Sequence, residues 1–99
     1  KVDFVVDGGK IAARIDAPDV PALEAIGGTG DTITGLVSAF VFAGFNPQVA
    51  AIVAAKANRT AGQFAQANPA TKVIKIIEQF PAVFSQYLDR WKSEGVTAA

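Results

Sequence analysis

Apolar residues in this chain change their spacing after about thirty positions, from short alternating runs to a long helical period. Val2-Asp3-Phe4-Val5-Val6 and Ile11-Ala12-Ala13-Arg14-Ile15 flank Asp7-Gly8-Gly9-Lys10, and two β-prone runs around so strong a turn signal predict a hairpin over 2–15. Residues 16–26, with Pro18 and Pro21, read as a connection. From Thr32 onward Ile33, Leu36, Val37, Phe40 and Val41 recur at helical spacing, which predicts a helix over about 31–43 that ends at Gly44. Ala39, Phe42 and Ala43 carry apolar character onto its other faces, so this helix is expected to be buried nearly all round.

Asn46-Pro47 and Asn68-Pro69 each offer an N-cap followed by proline at the first helical position, and predict helices over about 47–66 and 70–80. The first is crowded with alanine, at 50, 51, 54, 55, 57, 61 and 65, which permits close backbone approach by a neighbour or a ligand. Pro81 interrupts the stripe Val73, Ile76, Ile77, Phe80; Phe84, Tyr87, Leu88 and Trp91 resume it in a helix over about 82–93 with Gly95 as the stop. Tyr87 and Trp91 are expected to pack, not to form a stacking platform.

Composition removes several kinds of chemistry. The 99 residues contain no cysteine and no histidine, so thiol nucleophiles, disulfides, imidazole bases and the usual zinc sites are excluded, and no metal ligand is assigned. Nine basic and nine acidic residues balance, without the cationic density of a nucleic-acid face. The longest apolar stretch, Leu36 to Phe45, is far short of the ~20 residues that cross a bilayer. The chain begins at Lys1 with no targeting signal, so a soluble, cytoplasmic protein cut from something longer is expected. A lone hairpin wants a sheet to join, and a complete domain of this class calls for roughly 150 to 200 further residues upstream.

The chemistry concentrates in Gly27-Gly28-Thr29-Gly30-Asp31-Thr32-Ile33-Thr34-Gly35, at the mouth of the first helix. Glycines bring backbone N–H groups toward one point, and a helix start adds unpaired donors and the positive end of a dipole. That is a cradle for phosphate. An aspartate there repels the anion unless its task is to take a proton from the group being phosphorylated, which is what a small-molecule kinase needs. The cluster is not a P-loop, since no lysine follows, nor a dinucleotide fingerprint, since Ile33 stands where a third glycine would be. Asn58-Arg59-Thr60 matches a glycosylation sequon by chance within a helix, and Lys56 and Arg59 read as a solvated helix face in preference to a pair that approaches a nucleotide phosphate.

Gly28-Thr29-Gly30-Asp31, then Ile33, Thr34, Gly35, Gly44, Pro47 and the alanine-rich helix, resembles the C-terminal portion of the ribokinase-like superfamily. The likeness is nearest to NAD(P)H-hydrate dehydratases and related carbohydrate kinase-like proteins, and runs to about Phe84. It implies an α/β fold of which these residues supply a β-hairpin followed by three or four helices. It also implies an anion hole at Gly28, Thr29 and Gly30, Asp31 as catalytic base, a wall near the adenine from the alanine-rich helix, and ATP or ADP with Mg²⁺. The substrate would be a small hydroxylated molecule, phosphorylated in the kinases, phosphorylated and then eliminated in the dehydratases. One departure is local: Pro21-Ala22-Leu23-Glu24 stands where the dehydratases carry Asn-Pro-Gly-Met. A non-catalytic module that keeps the fold is the competing expectation, and either a homo-oligomer or an N-terminal region is expected to cover the apolar surface.

Overall fold

The turn signal forms the hairpin. The computed structural model describes the backbone of residues 2–98 and the side chains of residues 2–94. In it β1 (Asp3–Asp7) and β2 (Lys10–Ile15) pair antiparallel, with Asp3 opposite Ile15, Val5 opposite Ala13 and Asp7 opposite Lys10. Gly8 and Gly9 take φ of 58° and 78°, the positive pair that a two-residue turn needs to match the twist of its strands. A register shift between Val5 and Val6 bends β1. Val5 and Ile15 turn inward onto Ile52 and Ala55, whereas Phe4, Val6 and Ile11 are more than half exposed.

Four helices follow: α1 (Thr29–Phe42), α2 (Pro47–Phe64), α3 (Val73–Ile77) and α4 (Phe80–Ala98). The connection before them holds a 3-10 turn, Pro21–Ala25, that hydrophobic periodicity does not mark. Helix α1 starts two residues before its expected boundary and closes with Gly44 N–H on the Val41 carbonyl (3.0 Å) and Phe45 N–H on the Phe40 carbonyl (2.9 Å). Asn46 caps α2 as expected, its Oδ1 accepting from Gln48 N–H at 2.8 Å. At Asn68-Pro69 the same device builds a turn instead. Asn68 Oδ1 accepts from Ala70 N–H (2.8 Å) and Thr71 Oγ1 accepts from Asn68 N–H (3.0 Å), so the chain closes on itself and the helix begins only at Val73. Pro81 sits in the first turn of α4, where its missing N–H costs nothing, and α4 continues through Gly95, which does not stop it.

The buried helix is α2, not α1. Helix α2 touches both strands and the other three helices, and Val53, Ala54, Ala57 and Ala61 along it are sealed from solvent. Its alanines let those neighbours approach closely. Helix α1 buries only Phe40 fully, with Ile33, Leu36 and Val37 half covered on the same stripe, and Phe42 is 94% exposed. Within the described residues α1 packs mainly on α2, so apolar residues on its other faces find no partner. Ile76 and Val83 complete the core against α2, each burial worth about 1.5–3 kcal/mol. A run of rings, Phe45 on Phe40 (5.0 Å), Phe40 on Phe84 (5.6 Å) and Phe84 on Phe80 (5.6 Å), ties α1 to α4. No described helix is long and apolar enough to cross a membrane.

Candidate functional site

Local backbone chemistry fixes where α1 begins. Gly28 is its N-cap with φ of +93°, a left-handed conformation that costs a residue with a side chain roughly 1–2 kcal/mol. A Cβ there would also lie 3.4 Å from Val73 Cγ1. Thr29 fastens the turn from the other side, its hydroxyl shared between the carbonyls of Ile26 (3.3 Å) and Leu23 (3.4 Å). The helix bond nearest the start runs from Thr32 N–H to the Gly28 carbonyl at 3.0 Å. The N–H groups of Thr29, Gly30 and Asp31 therefore have no acceptor within the helix, and the N-cap supplies no side chain to take one. These donors and the dipole put partial positive charge at the helix start, beside the Asp31 carboxylate in its first turn.

Gly30 differs from Gly28. It lies inside α1 without a positive φ, which corrects any expectation of a strained turn at this position. A Cβ on Gly30 would meet nothing within 4 Å. The space it leaves borders a cavity of about 310 Å³, walled by Thr29 and Gly30 from α1, Leu23 from the 3-10 turn, Asp19 from the connection, and Asn58 and Arg59 from α2. Of the four residues assigned from sequence, Thr29 and Gly30 line this cavity; Gly28 and Asp31 belong to the same turn but are not on its wall. Asp31 is exposed, at the third position of α1.

Asn58 is an addition that only the structure makes, and Arg59 takes a place that the sequence pattern did not favour. Asn58 is 4% exposed, and its Oδ1 is enclosed with no hydrogen-bond partner. An orphaned buried carbonyl costs about 1–3 kcal/mol. The same burial leaves the sequon at Asn58 without an accessible amide. Arg59 is not on a solvated face: its side chain is 7% exposed, its Nε donates to Asp3 Oδ2 at 2.8 Å and its Nη1 to the Pro18 carbonyl at 3.2 Å. Lys56, a turn earlier, does reach outward and pairs with Glu94 at 3.4 Å. Tyr87 and Trp91 stack on each other at 5.0 Å, and Trp91 is buried in the core. Among the described residues no group of three or more acidic side chains converges on a common point to hold a metal ion.

Comparison with known proteins bears on this arrangement. The family model described as NAD(P)H-hydrate dehydratase matches residues 4–81, from β1 through the start of α4. An uncharacterised protein of Methanocaldococcus jannaschii is 35% identical over 88 residues, covering 89% of this chain and 38% of that protein. The bifunctional NAD(P)H-hydrate repair enzymes Nnr of Pyrobaculum aerophilum and Hyperthermus butylicus are 36% and 32% identical over 89 and 90 residues, or 17% and 16% of their own lengths. The chain thus spans well under half of each of these relatives. No solved structure matches it. With the hairpin, the glycine-rich helix start and the alanine-rich central helix all inside the matched region, the chain belongs to the NAD(P)H-hydrate dehydratase family.

Proposed function

We propose that these residues form the phosphate-binding part of an ADP- or ATP-dependent NAD(P)H-hydrate dehydratase. The observation that carries the reading is the uncapped start of α1, where three N–H groups without acceptors meet Asp31 and a cavity. Thr29, Gly30 and the turn set by Gly28 hold the terminal phosphate of the nucleotide. Asp31, one position further on, takes the proton of the ring hydroxyl as its oxygen attacks that phosphorus, and AMP or ADP leaves. Phosphate is then expelled from the ring carbon, and loss of a proton from the neighbouring carbon restores the double bond. The cavity beside Thr29 receives the rest of the nucleotide. The divalent ion, in this reading, enters on the nucleotide phosphates.

A small-molecule kinase would use the same first step and stop there. The segment Pro21-Ala22-Leu23-Glu24 favours keeping this second reading, because it borders the cavity and differs from the usual dehydratase sequence. The test is turnover of hydrated NADH by the full polypeptide with Mg²⁺ and ADP or ATP, followed by the return of nicotinamide absorbance. Asp31→Asn should lower the rate by about 10²- to 10⁴-fold while leaving nucleotide affinity within a few-fold, because an amide keeps the shape but accepts no proton. Wild-type turnover in Asp31→Asn removes Asp31 from the chemistry. A stable phosphate ester of another hydroxylated compound, with no effect on hydrated NADH, selects the kinase.

A further inference from the structure

Arg59 is buried where a neutral side chain would cost less. Taking a guanidinium out of water is expensive, and apolar replacement of a buried ion pair is often neutral or stabilising, so its burial is weak evidence for a purely stabilising role. Its geometry points elsewhere. From α2 it reaches the Asp3 carboxylate on β1 through Nε (2.8 Å) and the Pro18 carbonyl on the connection through Nη1 (3.2 Å). These bonds join segments 56 and 41 residues away in sequence at one point. Asp3, Asp19 next to Pro18, and Arg59 itself are all on the wall of the cavity beside Thr29 and Gly30. Leu23 and Glu24, which follow on the same connection, line it too.

We infer that Arg59 is a positioning residue for the nucleotide. It fixes residues 16–20 against β1 and α2, and thereby holds open the cavity into which Asn58 faces. A freed connection could collapse onto that space or swing away from it, and either removes the wall against which the ligand is held. The inference rests on the nucleotide reading above and adds a residue that does not touch phosphate. It also commits to a division of labour: Arg59 acts on binding, while Asp31 acts on the rate of the bound complex.

The test is calorimetric titration of MgADP into the full polypeptide, well below each variant's melting temperature. Arg59→Met should stay folded, because an apolar side chain of similar length replaces a buried charge, yet bind ADP about tenfold to a hundredfold more weakly through loss of positioning. Arg59→Lys should recover only part of the loss, since it keeps the charge but has its three donors on one nitrogen, without the fixed fork that spans Asp3 and Pro18. Asp3→Asn, isosteric and a third exposed, should weaken binding in the same sense, and it decides the matter if Arg59→Met does not fold. Gly44→Ala, strained at φ of +101° and remote from the cavity, should lower the melting temperature and leave the ADP affinity alone. In turnover, Arg59→Met should raise KM for ADP with kcat largely kept. Unchanged ADP affinity in both Arg59→Met and Asp3→Asn, with wild-type protein binding normally, overturns this inference alone. Wild-type protein that binds no ADP overturns the nucleotide reading and the inference together.

Discussion

Gly28→Ala and Gly30→Ala should move stability in opposite directions although only Thr29 separates them. At Gly28 the φ of +93° forces an alanine into the left-handed region, at roughly 1–2 kcal/mol. The new methyl would meet Val73 Cγ1 at 3.4 Å, an ordinary van der Waals contact, so the cost is that of the backbone conformation. At Gly30 the backbone is helical and the Cβ has open space, so alanine gains up to about 0.5–1 kcal/mol of helix propensity. In a domain of this size each kcal/mol moves the melting temperature by about 4–8 °C. Thermal melts followed by circular dichroism should therefore show Gly28→Ala lower by roughly 5–15 °C and Gly30→Ala level or a few degrees higher. Ligand binding should follow a different order. The Gly30 methyl would occupy the space through which phosphate approaches the free N–H groups, so Gly30→Ala should weaken ADP despite its better stability. A Gly28→Ala protein that melts like wild type refutes the positive φ. A Gly30→Ala protein that binds ADP normally removes that glycine from the cradle.

The other expectations are simpler. Asn46→Ala removes the side-chain acceptor for Gln48 N–H and should cost about 1 kcal/mol by chemical denaturation, with ADP binding intact; a neutral result means water replaces the cap. Trp91→Ala opens the core between α2 and α4 and should cost about 3–5 kcal/mol, enough to unfold most of a marginal domain. Phe42→Ser, at a side chain 94% exposed, should change stability by less than about 0.5 kcal/mol and reduce dye binding and concentration-dependent sedimentation. Sedimentation unaltered by that change would mean that the apolar face of α1 does not drive association.

Local signals in the sequence translated directly where a short stretch determines its own conformation. Asp7-Gly8-Gly9-Lys10 made the hairpin, and Asn46-Pro47 made a capped helix, because turn type and capping depend on residues within a few positions. The glycine-rich start of α1 was legible for the same reason, though which glycine bears the strain was not. Composition alone does not separate a glycine held at positive φ from one with ordinary helical backbone and open space at Cβ, and Gly28 and Gly30 are one of each. Asn68-Pro69 shows the limit of a local signal. Asn68 does not cap a helix: its side chain and that of Thr71 close a turn, and the next helix starts at Val73 without a side-chain cap.

What depends on distant partners was not legible. Apolar character on every face of α1 predicted a buried helix, yet burial is settled by what packs against a helix, and the small side chains of α2 let five elements converge there instead. A mixed pattern such as Ala57-Asn58-Arg59-Thr60 looks like a polar face in one dimension. In three dimensions it carries a carboxamide lacking a partner and an arginine that fastens β1 to the connection, because Asp3 and Pro18 lie far away in sequence and close in space. The cavity consequently has two kinds of residue in its wall. Thr29 and Gly30 belong to a local glycine-rich turn, whereas Asn58 and Arg59 reach the cavity only through the packing of α2.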